Sequence, residues 1–171
     1  MYKGTNPAHP PEVAFDGGHV VDADGVLSLP KLPRTMMVVG GGVIGTEYAS
    51  MMQAMGVKVT LIEGRERLLG FVDAEIGEAL QYHLRQSGMT LRLSEKVVKV
   101  DLIEAPDHAK TFDGKLVEAT LESGKVLRAD TLLYAVGRQG CTDGLGLEKV
   151  GLEADARGRI KVDPNGRTAL D

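Results

Sequence analysis

The sequence predicts an α/β protein in which a parallel sheet lies within three layers and an antiparallel β-meander is added to it. Three observations predict it. A short apolar run, Met36-Met37-Val38-Val39, ends in Gly40-Gly41-Gly42 and passes directly into helical spacing. That strand-helix unit is followed by a second strand, a second helix and a third strand. Beyond about residue 97 the pattern changes to pure β alternation before one more buried strand. Gly40, Gly42 and Gly45 form G-x-G-x-x-G between the first strand and the first helix. This makes the expected architecture a Rossmann-like three-layer domain.

Met36–Val39 has no polar position, as expected of a strand covered on both faces. Ile44, Tyr48, Met51, Met52 and Met55 then recur at helical spacing, with Gly56 as the stop. Val57-Lys58-Val59-Thr60-Leu61-Ile62 reads as the second strand and completes a βαβ unit of about 27 residues. Asp73 can cap the next helix, with Ile76, Leu80 and Leu84 on one face and Gly88 as its end. Met89, Leu91 and Leu93 alternate with Thr90 and Arg92. In the meander Val98, Val100 and Leu102 alternate, as do Val117, Ala119 and Leu121. Ser123-Gly124 turns into Val126-Leu127, and the polar stretch around Pro106-Asp107-His108 reads as a hairpin tip. Thr131–Val136 is the last buried strand, ending at Gly137-Arg138.

The 171 residues suit one domain, with or without short arms. Hydrophobic residues make up 43% and charged residues 26%, which is enough for a packed core and argues against disorder. With no Trp and few aromatics, that core rests on Val, Leu, Ile, Met and Ala. A net charge of −4 and no basic run exclude nucleic acid as a partner. No apolar run approaches a membrane span, and Met1-Tyr2-Lys3-Gly4 opens no secretory signal. A single cysteine, Cys141, fits a reducing compartment, so the expected location is cytoplasmic. Residues 4–34 are rich in Gly, Pro and Asp, and the chain runs out at Thr168-Ala169-Leu170-Asp171 without a closing element. The ends read either as ordinary tails or as the edges of a domain cut from a longer chain.

The glycine motif makes a specific physical demand. Gly40 permits the tight turn, Gly42 lets the backbone approach a pyrophosphate, and Gly45 with Ala49 lets the helix lie close to the strands. The helix N-terminus offers N–H groups and the positive end of its dipole to an anion. A glycine-rich turn without a ligand is the plainer alternative. Glu63 ends the second strand, 18 residues after Gly45, where a carboxylate accepts from the adenosine ribose hydroxyls and favours NAD; otherwise it is a solvated loop acid. Arg65 and Arg67 can contact a 2′-phosphate, which would admit NADP, or serve as surface charges or partners for Glu66. Glu47 can point along the bound dinucleotide, although residue chemistry alone favours a first-turn acid that complements the helix dipole. Gly137 ends a strand at the carboxyl edge, where ligands gather, or simply begins a loop. Cys141 has no partner in view and reads as a bystander. His9, His19, His83 and His108 are scattered and form no metal set.

The segments VVGGGVIGTEYASMMQAMGVKVTLIEGRERLL, LRLSEKVVKV and LLYAVGRQGCTDGLGLEKVGLEADARGRIKV carry a resemblance that spans the chain from about residue 28 onward. The chain resembles the two-dinucleotide-binding flavoproteins related to dihydrolipoamide dehydrogenase and glutathione reductase. Within that family, G-V-I-G-x-E-Y-A-S and L-L-Y-A-x-G-R-x-G-x-T-D are similar to the soluble pyridine nucleotide transhydrogenase branch. Most dihydrolipoamide dehydrogenases have Pro-Asn where this chain has Gly140-Cys141.

The resemblance implies residues 1–33 as an arm from an FAD domain that is not in this chain. Residues 34–140 would be the NAD(P)-binding domain, and 141–171 a segment returning toward a second FAD stretch. Gly40, Gly41, Gly42, Val43, Ile44, Gly45, Thr46 and Glu47 would hold the pyrophosphate and nicotinamide side. Glu63 would hold the ribose, Val97 would touch the adenine, and Gly137 would lie by the nicotinamide half. The cofactors would be NAD and NADP here, with FAD only in the intact, homo-oligomeric protein. No catalytic residue is expected within this stretch. The implied activity is hydride transfer between NADPH and NAD through FAD. The rivals are dihydrolipoamide dehydrogenase, marked by an upstream cysteine pair, and a stand-alone nucleotide-sensing module that is not an enzyme.

Overall fold

In the computed structural model, residues 4–106, 109, 111 and 113–170 are described. They form ten strands, two α-helices and two 3-10 turns: β1 Thr5–Pro7, β2 Val20–Val21, β3 Thr35–Val39, α1 Val43–Ala54, β4 Lys58–Glu63, α2 Ala74–Gln86, β5 Thr90–Leu93, β6 Val97–Glu104, β7 Lys115–Leu121, β8 Val126–Ala129, β9 Thr131–Tyr134 and β10 Arg138–Gly140, with 3-10 turns at Gly25–Ser28 and Leu147–Val150. The expected hairpin tip at Asp107 and His108 lies outside the described residues.

The parallel sheet runs β2-β9-β3-β4-β5, with Val38 opposite Leu61 on one side and Leu133 on the other. Strand alternation divides its side chains between two cores. Met36, Val38, Leu61 and Leu133 meet Ala49 and Met52 of α1 and Leu84 of α2. Met37, Val39, Ile62 and Leu132 meet Val117, Ala119 and Leu121 of the meander, sheet order β6-β7-β8. Helices, parallel sheet and meander are therefore the three expected layers. Because both faces of β3 and β9 are covered, their sequences carry no polar alternation.

The helices bury only part of the faces expected: Met52 and Leu84 lie in the core with Tyr48 and Leu80 packed against it. On α1, Gly45, Thr46, Ala49 and Met52 turn inward, while Met51 and Met55 stay about half exposed. Close approach favours the small residues Gly45 and Ala49 on that face, and Met52 is the large side chain that follows them into the core. On α2, Gly77, Gln81 and Leu84 are buried, and Ile76 is 64% exposed. Asp73 does cap α2, its side chain accepting from the Glu75 N–H at 2.9 Å. Gly56 and Gly88 end the two helices at φ +88° and +94°. In β6 a register shift between Val97 and Lys99 turns Val98 outward and sets Val97 and Val100 against the core. Strand β9 stops at Tyr134, two residues short of the expected Val136.

Compactness divides the chain differently from the boundaries at 34 and 140. One unit is His9–Val136; the other joins residues 4–8 to 137–170. Residues 9–33 join the first because Val20 and Val21 pair in parallel with Leu132 and Leu133, and Val13, Ala23 and Val26 are buried. A two-residue strand shows no period, so the sequence reads as an arm. In the second unit β1 and β10 are antiparallel, Thr5 opposite Gly140, and Ala154 bridges Ile160. Among the described residues no helix is long and apolar enough to cross a membrane.

Candidate dinucleotide site

Because β3 and β4 are parallel, their carboxyl ends bring the glycine turn and Glu63 to one edge of the sheet. Gly40 follows β3 at φ +109°, its N–H donating to Ile62 O at 2.9 Å. A Cβ there would lie 2.4 Å from the Ala135 carbonyl oxygen, and one on Gly45 would lie 1.9 Å from the Gly40 carbonyl oxygen. The first and third motif glycines are thus required by backbone meeting backbone: strand end against turn, and turn against helix.

Gly42 is different. It is the N-cap of α1 at φ −77°, no side chain caps the helix, and a Cβ on it would meet nothing within 4 Å. The first amides of the helix, at Val43, Ile44 and Gly45, have no acceptor one turn back, so their dipoles face that open space. Val43 is 47% exposed and Ile44 half-buried. Thr46 is buried, and its Oγ1 has no hydrogen-bond partner. Glu47 is exposed and is the fifth helical residue, beyond the first turn, since α1 begins at Val43. The expectation of a first-turn acid complementing the dipole therefore does not hold.

Glu63 is 7% exposed, so it is not a solvated loop acid. Its Oε2 accepts from the Gly41 N–H at 2.6 Å and from Arg65 Nη2 at 3.0 Å. Its Oε1 accepts from the Arg65 N–H at 2.9 Å and Arg65 Nε at 3.0 Å. Burial pushes this carboxyl up, but the bonds from Arg65 and Gly41 together outweigh it and hold the group below the usual carboxylate range. The same pairing raises the Arg65 guanidinium further above its ordinary value. Arg65 pairs with Glu63 and not with Glu66. Arg67 is exposed and forms no ion pair with any described residue.

Val97 begins β6 opposite Leu121 and is half-buried. Gly137 belongs to the other unit, where it sits at φ +137° and its carbonyl accepts from the Ala8 N–H at 3.0 Å. Cys141 is a free, partly buried thiol in that unit. Among the described residues no cluster of His, Cys, Asp and Glu is placed to hold a metal ion.

The stretch after Glu63 also shapes the site, which sequence reasoning missed. Leu68 is 1% exposed, and its Cδ2 lies 2.5 Å from where a Gly41 Cβ would be. Leu69 donates to Gly41 O at 2.9 Å from a left-handed backbone, φ +47°. Buried Gln81 accepts from the Leu68 N–H at 3.3 Å. Gly41 is thus held at its N–H by Glu63, at its carbonyl by Leu69 and at its Cα by Leu68. The only sequence signal was an apolar pair in a polar loop.

The family model described as pyridine nucleotide-disulphide oxidoreductase matches residues 4–171. The chain belongs to that family. It is 48% identical over 168 residues to a soluble pyridine nucleotide transhydrogenase of Mycobacterium bovis and 45% identical over 167 residues to one of Salmonella paratyphi C. In each case 98% of this chain is covered but only 34% of the relative, so the chain spans about a third of the curated relatives' length. Among solved structures, LpdA of Mycobacterium tuberculosis superimposes with a TM-score of 0.84 at 26% identity, covering 97% of this chain and 34% of that one. The Cu(II) complex of the HOCl-induced flavoprotein disulfide reductase RclA of Escherichia coli gives 0.80 at 32%, covering 98% and 37%.

Proposed function

We propose that this pyridine nucleotide-disulphide oxidoreductase chain is the NAD(P)(H)-binding part of a longer FAD-dependent oxidoreductase, and that the longer protein moves hydride between NADPH and NAD through FAD. The observation carrying this reading is the open space over Gly42, at an uncapped helix N-terminus held by backbone contacts at Gly40 and Gly45. A cradle that a Cβ would fill, faced by free amides, fits a pyrophosphate. A buried, ionised carboxylate at the end of the next strand fits a ribose.

The residues divide the work by position. The amides of Val43, Ile44 and Gly45 would hold the pyrophosphate, with Gly40, Gly41 and Thr46 shaping the turn. Glu63 would accept from the adenosine ribose, Val97 would lie against the adenine, and Arg65 and Arg67 would neutralise a 2′-phosphate. Glu47 would serve the nicotinamide half. The bound nicotinamide and the flavin supply the hydride chemistry, and these residues hold and orient. Residues 1–33 and 141–171 would lead from and to the FAD-binding parts of the longer protein, which we take to be cytoplasmic and homo-oligomeric.

Titration calorimetry with NADH and NADPH tests the site directly. Glu63→Ala should weaken NAD by roughly 1.5–3 kcal/mol, the worth of a charge-assisted hydrogen bond, and NADP by less. Equal losses for both dinucleotides would refute the assignment. In the longer protein, NADPH should reduce an NAD analogue without any dithiol. The likeness to a flavoprotein disulfide reductase favours a second reading, in which NAD(P)H reduces a disulfide through a cysteine pair elsewhere in the longer protein. Disulfide-dependent oxidation of NAD(P)H with no nucleotide-to-nucleotide transfer would select it.

A further inference from the structure

The Glu63 carboxylate is already saturated. An ionised carboxylate offers about four acceptor sites. All four are taken, two by backbone N–H groups of Gly41 and Arg65 and two by the Arg65 guanidinium. A ribose hydroxyl therefore finds no lone pair to donate to while that guanidinium is in place.

The two partners differ in freedom. The side chain of Glu63 is 8% exposed and that of Arg65 is 57% exposed. The backbone of residue 65 is pinned at both ends, its N–H on Glu63 and its carbonyl accepting from the Ser94 N–H at 3.0 Å. Only the guanidinium is free to leave. Its departure does not strand a buried charge, because the Gly41 and Arg65 amides remain on the carboxylate. What departure opens is two acceptor sites at the end of β4.

We propose that Arg65 is a latch on the ribose position that sets the choice between a 2′-hydroxyl and a 2′-phosphate. The proposal rests on the dinucleotide reading of the site. NAD presents two hydroxyl donors to Glu63 and must displace the guanidinium to reach it. NADP presents a phosphate that cannot donate and is repelled by Glu63, but it takes the guanidinium as its own partner in the same fork geometry. One side chain therefore opposes NAD and supports NADP. A plain phosphate-binding arginine would do only the second, and a purely structural one would support both.

The test is calorimetry on this chain with NAD and NADP, wild type against Arg65→Met, with melting temperature as the folding control. The latch requires Arg65→Met to bind NAD about three- to tenfold more tightly, the release of one partly exposed ion pair, and NADP at least about tenfold more weakly. NAD affinity that is unchanged or weaker in Arg65→Met overturns the latch. If Arg65→Met does not fold, Arg65→Lys keeps the charge without the fork. It should show the same gain in NAD affinity at a smaller factor, and no gain overturns the latch. In the Glu63→Gln background the Arg65→Met gain for NAD should vanish, since no carboxylate is left to unlock. A gain that persists there assigns the effect elsewhere and overturns it too. A wild-type chain that binds neither dinucleotide refutes the dinucleotide reading itself, an outcome distinct from a chain that binds both and shows no NAD gain.

Discussion

Two alanine substitutions, Gly45→Ala and Gly42→Ala, should separate fold from binding at the glycine turn. In Gly45→Ala the new Cβ falls 1.9 Å from the Gly40 carbonyl oxygen. Ordinary contact begins near 3.4 Å, so α1 must back away from the turn by about 1.5 Å. Both atoms are fixed to backbone, and no side chain can yield. Overpacking of that kind costs about 2–3 kcal/mol, which for a chain of this size lowers the melting temperature by roughly 4–12 °C. In Gly42→Ala the Cβ meets nothing within 4 Å, and φ −77° suits any residue. Losing glycine at the N-cap costs some tenths of a kcal/mol to about 1, and the stiffer unfolded chain returns about 0.4–1. The melting temperature should therefore move by no more than about 2 °C. The methyl group nonetheless stands where the pyrophosphate must approach the amides. Losing one charge-assisted hydrogen bond there weakens NAD about ten- to hundredfold. Calorimetry and thermal melts on both variants give the answer. Gly42→Ala binding NAD as well as wild type would remove the pyrophosphate from the helix N-terminus. Gly45→Ala melting with wild type would mean that the turn and helix are not in backbone contact.

Acid stability carries a second expectation. Glu63 has a lowered pKa in the folded state, so its contribution is present above the ordinary value of 4.5 and is lost as pH falls through the lower folded value. The melting temperature of Glu63→Gln should fall less steeply than wild type below about pH 4.5, and parallel acid limbs would contradict the pairing. In the longer, FAD-containing protein, Glu47→Gln should slow flavin reduction by NAD(P)H while the melting temperature stays put, because Glu47 is exposed and lies beyond the first helical turn; a wild-type rate removes Glu47 from the site. The purified chain itself should be colourless, since its one G-x-G-x-x-G is assigned to the nicotinamide dinucleotide, and stoichiometric flavin absorbance would overturn that assignment.

Much of this protein is written in local pattern. The runs at 36–39 and 131–134, the glycines at 40, 42 and 45, and the stops at Gly56 and Gly88 predict strands, turn and helices. Each depends only on side-chain periodicity or on backbone geometry that glycine alone permits. The position of Glu63 at the end of the second strand is legible for the same reason. What local pattern does not carry is anything decided by a distant neighbour. Val20–Val21 is a strand only because β9 offers it an edge. On α1 the close approach of turn and sheet buries Gly45 and Ala49 along with Met52, and on α2 Gly77 and Gln81 are buried along with Leu84, while Met51, Met55 and Ile76 stay exposed. The bulge at Val97 reverses the outward face of β6. The state of Glu63 is the clearest case. Sequence places a carboxylate at the strand end, but its saturation depends on the Gly41 amide, 22 residues earlier, and on a guanidinium that folds back from Arg65. Spacing along a chain determines which groups can meet. Which of them are satisfied, and which are left open to a ligand, is decided only when the tertiary fold has used up the other partners.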